Sequence, residues 1–152
     1  MSLAREHLKI LQATKEVKIA IAQSVEIMGV EALNHFTKSF RNQGFEDVNI
    51  ERWQPRKGEI SGGIARVRKR DAGSRAILVK SGALRRSLFK YRSGVSQVTI
   101  KSQLPYAIVH NEGLKAGRSG FKMPKRQFVG NSSKLVEKLY KRIDRKILNV
   151  WK

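Results

Sequence analysis

Residues 3–42 contain no proline, and no glycine before Gly29, so nothing in them stops an α-helix early. Within that span Ile21, Val25, Met28, Ala32, Phe36 and Phe40 recur every three or four residues. This spacing predicts a long helix with one apolar stripe lying on a core, and the rest of the chain must supply that core. Leu8 and Leu11 make a weaker stripe. Residues 1–16 are therefore expected as an N-terminal arm or a short separate helix, ahead of a single domain over residues 17–152. Gln43-Gly44 supplies the stop, because glycine accepts the left-handed backbone that ends helices. Gly29 costs a helix about 1 kcal/mol relative to alanine, and is expected at a close packing contact.

Downstream the pattern shortens. Phe45 to Lys57 reads as an irregular or short extended connection, with Trp53 expected as a core anchor beneath it and, as the alternative, a platform for stacking nucleic-acid bases. Residues 57–75 read as a glycine-rich loop carrying Arg66, Arg68, Lys69 and Arg70. No Gly-Lys-Ser/Thr follows its glycines, which excludes a nucleotide phosphate loop. The four cations suit phosphate contacts as point charges or forks, and equally a disordered basic loop that orders on assembly. Ser81 is placed to cap a single helical turn running through Gly82 and Leu84. Leu88 to Tyr91 and Val95 to Ser102 are expected as two strands joined through Arg92-Ser93-Gly94. Val98 and Ile100 alternate with Gln97, Thr99 and Lys101, as in an antiparallel sheet covered on one face.

Pro105 opens a short helical turn, with Tyr106, Ile108 or Val109 facing inward and His110 pinning the turn by a hydrogen bond. Gly113 to Lys122 reads as a second basic loop, with Lys115, Arg118 and Lys122 as candidate phosphate contacts. Pro124 begins an extended segment that returns Phe128 to the core. Asn131-Ser132-Ser133 then caps an amphipathic helix over residues 132–151. Its face of Leu135, Leu139, Ile143 and Ile147, flanked by Tyr140 and Trp151, suits packing on the sheet or on a neighbouring subunit rather than on a membrane.

Charge narrows the function. Lys and Arg number 32 against 12 Asp and Glu, a net charge of +20. Residues 1–51 hold six basic and seven acidic residues, net −1, so the whole excess lies after Glu51. Such a chain is expected to meet a polyanion, either nucleic acid or an acidic protein surface. The absence of cysteine excludes disulfides, cysteine nucleophiles and thiolate metal sites. No run approaches the roughly 18 apolar residues of a membrane span, and the start lacks an apolar signal core. A soluble cytoplasmic protein is the expectation. Catalytic groups are sparse. His7 and His35 lie far in sequence from His110, and after Asp71 the only carboxylates are Glu112, Glu137 and Asp144. His110 and Glu112 are too close in sequence for the i, i+4 geometry of a helical metal pair. No enzyme activity and no cofactor are expected.

Three stretches, in order, resemble a known family. They are Leu78-Val79-Lys80-Ser81-Gly82-Ala83-Leu84-Arg85-Arg86-Ser87, then Val98 through Pro105-Tyr106 to His110-Asn111-Glu112-Gly113, then Met123-Pro124 to Phe128-Val129-Gly130. Phe40 to Phe45 and Trp53-Gln54-Pro55 fit the same pattern upstream. Together they resemble the phage virion morphogenesis family, the Mu-type tail completion or head–tail joining proteins of tailed phages. The chain departs from the family pattern at Lys101, Lys125 and Gln127, and in its basic loop from Gly58 to Gly73. The resemblance implies an α+β fold, a long N-terminal helix packed on a small antiparallel β-sheet, to which the residue pattern adds the C-terminal amphipathic helix. It also implies a structural role in the phage or prophage virion, and in the host cytoplasm during assembly. The expected partners are copies of the chain in a ring and tail-tube, tail-terminator or head-connector proteins, with non-specific double-stranded DNA through the basic loops. The other function the residues allow is sequence-independent nucleic-acid binding.

Overall fold

The computed structural model describes residues 2–55, 76–94, 96–118 and 120–148. The loop expected over residues 57–75 and the last turn with Trp151 lie outside them. The fold is α+β. A helix of 41 residues, α1 (Ser2–Asn42), is followed by a hairpin, β1 (Gly44–Glu46) with β2 (Ile50–Arg52). After a helical turn, α2 (Ala83–Arg86), comes a longer hairpin, β3 (Leu88–Arg92) with β4 (Val98–Ser102). A short helix, α3 (Tyr106–Glu112), leads to a small hairpin, β5 (Lys115–Ala116) with β6 (Phe121–Lys122). The last element is α4 (Ser133–Leu148). Among the described residues the antiparallel structure is three two-stranded ribbons.

One helix, about 60 Å long at 1.5 Å per residue, therefore includes both the weak N-terminal stripe and the strong one. Its first part is mostly exposed, with Leu3, Leu8, Ile10 and Leu11 all open to solvent. Burial begins at Ala20 and continues through Ser24, Val25, Phe36 and Phe40. Ile21, expected inward, is exposed instead. At that level the buried positions are small, and Ser24 satisfies its hydroxyl by donating to the Ala20 carbonyl at 2.8 Å. Gly29 is at the close contact its position predicts: a Cβ there would lie 2.8 Å from Val98 Cγ2 on β4.

The helix ends on Gln43, not Gly44, in the left-handed conformation (φ 54°). Gln43 offsets this strain by using its side chain as a splint. Its Nε2 donates to the carbonyl of Phe40 at 2.6 Å and to that of Ile77 at 3.3 Å, while its Oε1 accepts from Ile77 N–H. Gly44 serves a different need, since a Cβ there would lie 2.5 Å from the Glu51 carbonyl on the paired strand.

The core gathers around Phe40. Trp53 meets it edge to face at 5.5 Å between ring centroids, and Phe128 packs at 5.2 Å. Trp53 is buried, and its Nε1–H donates to the Gln127 carbonyl at 2.6 Å. Phe36, Phe45, Leu84, Leu88, Ala107 and Leu135 complete the cluster, so all four helices and strands β1 and β3 contribute. The β3–β4 register pairs Arg92 with Val98, which puts the second strand's start at Val98 rather than Val95. The connection is longer than the expected three residues and closes with Ser93 N–H donated to the Gln97 carbonyl at 3.0 Å.

Two buried carboxylates hold the basic α4 against α1. Glu31 of α1 accepts from Lys138 at 2.6 Å and from Arg142. Glu46 accepts from Lys134 at 2.6 Å and Lys38 at 3.2 Å. The Glu46 carbonyl also accepts from Ser132 Oγ at 2.8 Å, and Ser132 caps α4 by accepting from Leu135 N–H. His35 Nε2 lies 2.9 Å from the same carbonyl, which requires the Nε2–H tautomer. Leu135 is buried and Leu139 packs on the core, but Ile147 at the far end of the expected apolar face is exposed.

Both carboxyls are held below the ordinary glutamate value of 4.5, Glu31 foremost by its hydrogen bond from Lys138 and Glu46 by that from Lys134. A depressed folded-state pKa gives stability that is complete above the unfolded value and lost as pH falls through the folded one. Glu31→Gln and Glu46→Gln should each cost about 1 kcal/mol at pH 7, discounted for the solvent-exposed cations. Each should also make the fall in Tm below pH 4.5 shallower than in the wild type. Thermal denaturation from pH 7 to 3 reads both; an acid limb as steep as the wild type's contradicts the assignment.

Candidate nucleic-acid interface

Lys115, Arg118 and Lys122 come together on the β5–β6 hairpin. The segment expected as a loop is in fact a ribbon: Lys115 sits directly opposite Lys122, and Arg118 lies in the turn between the strands. Gly117 and Gly120 hold the turn with positive φ, and nothing lies within 4 Å of a Cβ built on either. Like charges directly opposite across a ladder repel, so the hairpin gains by placing an anion over this pair. Arg66, Arg68, Lys69 and Arg70 lie outside the described residues.

The hairpin is mounted on the end of α3. Gly113, at φ 70°, is the helix's C-cap, and a Cβ there would lie 2.9 Å from Lys125 N. Leu114 N–H donates to the Val109 carbonyl, and Met123 N–H to the Leu114 carbonyl, closing the base of the ribbon. Pro105 occupies the N-cap position of α3 with φ −62°. The inward residue of that helix is Ala107, while Tyr106 and Ile108 are exposed. A short helix seated this close to the core leaves room only for a small side chain on its inner face.

Asn111 pins the turn, the role expected of His110. Asn111 Oδ1 accepts from Phe128 N–H at 2.9 Å and Val129 N–H at 3.0 Å, and its Nδ2 donates to the Val129 carbonyl at 3.0 Å. His110 contributes its backbone carbonyl, which accepts from Arg126 N–H at 2.8 Å. Its ring packs edge to face on Tyr106, and its Nδ1 has no hydrogen-bond partner among the described residues. Burial, then the Arg126 charge, pushes the imidazole pKa below 6.5. Arg126 is itself buried and forks onto the Gln54 carbonyl through Nε at 3.1 Å and Nη2 at 3.0 Å. The remaining signature residues are structural: Ser81 Oγ accepts from Ala83 N–H, Gly82 is the N-cap of α2 at φ 70°, Leu84 and Phe128 are buried, and Pro124 begins the segment that Asn111 grips.

Sequence reading missed a second basic feature. Lys38 and Arg41 of α1, Arg85 of α2, and Lys134 and Lys138 of α4 line a recess of about 660 Å³ around Glu46. Its cations are spread over a hundred residues of chain, so no local spacing announces them. Among the described residues no group of three or more metal-ligating side chains converges, and no helix is long and apolar enough to cross a membrane.

Asn111→Ala should leave two backbone donors of the Phe128 segment unsatisfied and cost about 2 kcal/mol or more. His110→Ala keeps the backbone bond and should cost about 1 kcal/mol. Urea denaturation of both variants checks the order; a His110 variant weaker than the Asn111 variant would return the pin to the histidine.

A sequence model of the phage virion morphogenesis family matches residues 5–147. No curated protein and no solved structure matched. The matched span runs from the exposed first turns of α1 to the penultimate described residue of α4, and takes in the Phe40 core, the Asn111 pin and the β5–β6 hairpin. The chain belongs to the phage virion morphogenesis family, and its role is a structural or assembly role in a phage particle.

Proposed function

We propose that the chain acts in tail completion or head–tail joining, as a non-enzymatic subunit of a ring whose basic faces turn toward the DNA path. The observation that carries this is the family match over nearly the whole chain in a molecule with much apolar surface left open. Leu3, Leu8, Ile10 and Leu11 on α1, and Val136, Tyr140 and Leu148 on α4, are exposed. Apolar surface of this kind on an assembly protein suits contacts between subunits. The partners on this reading are further copies of the chain and tail-tube, tail-terminator or head-connector proteins, met in the host cytoplasm and retained in the virion. The engagement of the carboxylates supports a structural role over a catalytic one. Glu31 and Glu46 serve as counter-ions for α4, and Glu137 pairs with Lys141.

The test is assembly on the partner. Purified chain mixed with preformed tail tubes should give closed rings at tube ends in negative-stain images. Bare tube ends beside monomers overturn the proposal.

A second reading, sequence-independent duplex binding, is favoured by the charge alone: all of the +20 lies after Glu51. It predicts an affinity that falls steeply with salt. Replacing Lys115, Arg118 and Lys122 with alanine should lower the slope of log K against log salt by up to about three. Fluorescence anisotropy on a labelled duplex measures it, and undetectable binding at low salt removes this reading.

A further inference from the structure

The recess around Glu46 has chemistry that the hairpin does not. Two of its five cations are Glu46's own partners, Lys38 and Lys134, and a third, Lys138, is held by Glu31. The other two, Arg41 and Arg85, form no hydrogen bond or ion pair among the described residues, although both border the same hollow. Guanidinium groups stay charged at any accessible pH and offer planar forks that match a carboxylate or phosphate in two hydrogen bonds.

We propose that this recess is an oxyanion socket that receives an acidic side chain from a neighbouring virion protein, bound between Arg41 and Arg85. The proposal rests on the assembly role given above. Shape argues for it. At about 660 Å³ the hollow has the size of a small-ligand pocket. A duplex presents a convex ridge of evenly spaced phosphates, which asks for a protruding cationic stripe such as the β5–β6 hairpin. A run of phosphates entering the recess would also meet the fixed carboxylate of Glu46, whereas a single acidic side chain brings only one charge to it.

Charge argues that the guest comes from another protein rather than a second copy. The chain has 12 acidic residues to 32 basic ones, and Glu26, Glu31, Glu46 and Glu137 are already paired with lysine or arginine. A second copy would bring a net charge of +20 to a basic recess, so a protein with an acidic surface is the better-matched guest.

The experiment uses hexaglutamate as the probe, titrated into the full chain by calorimetry. The expected result is saturable one-to-one binding, weakened about tenfold or more by Arg41→Ala with Arg85→Ala. Both arginines are exposed, so the double variant should keep the wild-type Tm. A charge-matched control, Lys115→Ala with Lys122→Ala, should weaken binding less than about twofold. Equal weakening by both pairs means the peptide senses only net charge, and overturns the socket. So does the absence of saturable binding. A short DNA duplex titrated in parallel gives a third arm: duplex affinity lost in the arginine variant, with hexaglutamate unaffected, assigns the recess to DNA and overturns the proposal. Ring formation on tail tubes, scored separately, keeps the two ideas apart. Rings without hexaglutamate binding sink the socket alone, and hexaglutamate binding without rings supports the socket while the assembly role fails.

Discussion

The ring of Phe40 is the point on which the described fold closes. It sits at the end of α1, where the helix is about to lose its own hydrogen bonds, and is met by Trp53 from one segment and Phe128 from another far along the chain. Each aromatic pair adds about 0.5–1.5 kcal/mol beyond the area it buries. The larger effect is geometric. Trp53 reaches the Gln127 carbonyl, Asn111 grips the backbone of Phe128 and Val129, and Gln43 splints Ile77, so three otherwise irregular segments are fixed around one side chain. Small ribbons that would be marginal alone are held by that anchorage.

A chain with this much positive charge must also solve a repulsion problem inside its own fold. α4 carries six basic residues and lies along a helix from the near-neutral first third of the sequence. The contact works because α1 and β1 present Glu31 and Glu46 where α4 presents its cations. Glu31 and Glu46 are thus used where the helices meet, while Glu26 and Glu137 pair with Lys90 and Lys141 on the exposed surface.

How much of this was legible depends on how local each signal is. The α1 stripe, its packing glycine, the Ser132 cap and the burial of Trp53 follow from spacing and residue chemistry within a few positions. The β5–β6 ribbon was not readable, because strands of two residues are too short to show alternation and their glycines read as loop. Ile21 was misplaced because a count of apolar residues passes over Ser24, which is buried with its hydroxyl satisfied by its own helix. Asn111 stood beside the histidine that drew attention, but its partners are 17 and 18 residues away and appear only once the chain has folded back. The recess is the extreme case: its cations come from α1, α2 and α4, and only tertiary structure makes them neighbours.

The half of α1 that precedes Ala20 turns the molecule into something like a calibrated rod. Anchored at one end by the Phe40 core, it carries whatever its far end meets at a distance counted out by residue number, about 1.5 Å for each. Removing seven residues from the exposed half would draw that end in by about 10 Å and leave its angular bearing within about 20°. Removing five would swing it to nearly the opposite side of the axis. Changes of seven or eleven residues, near two and three whole turns, are the lengths that keep the far end facing within about 20° of its first direction.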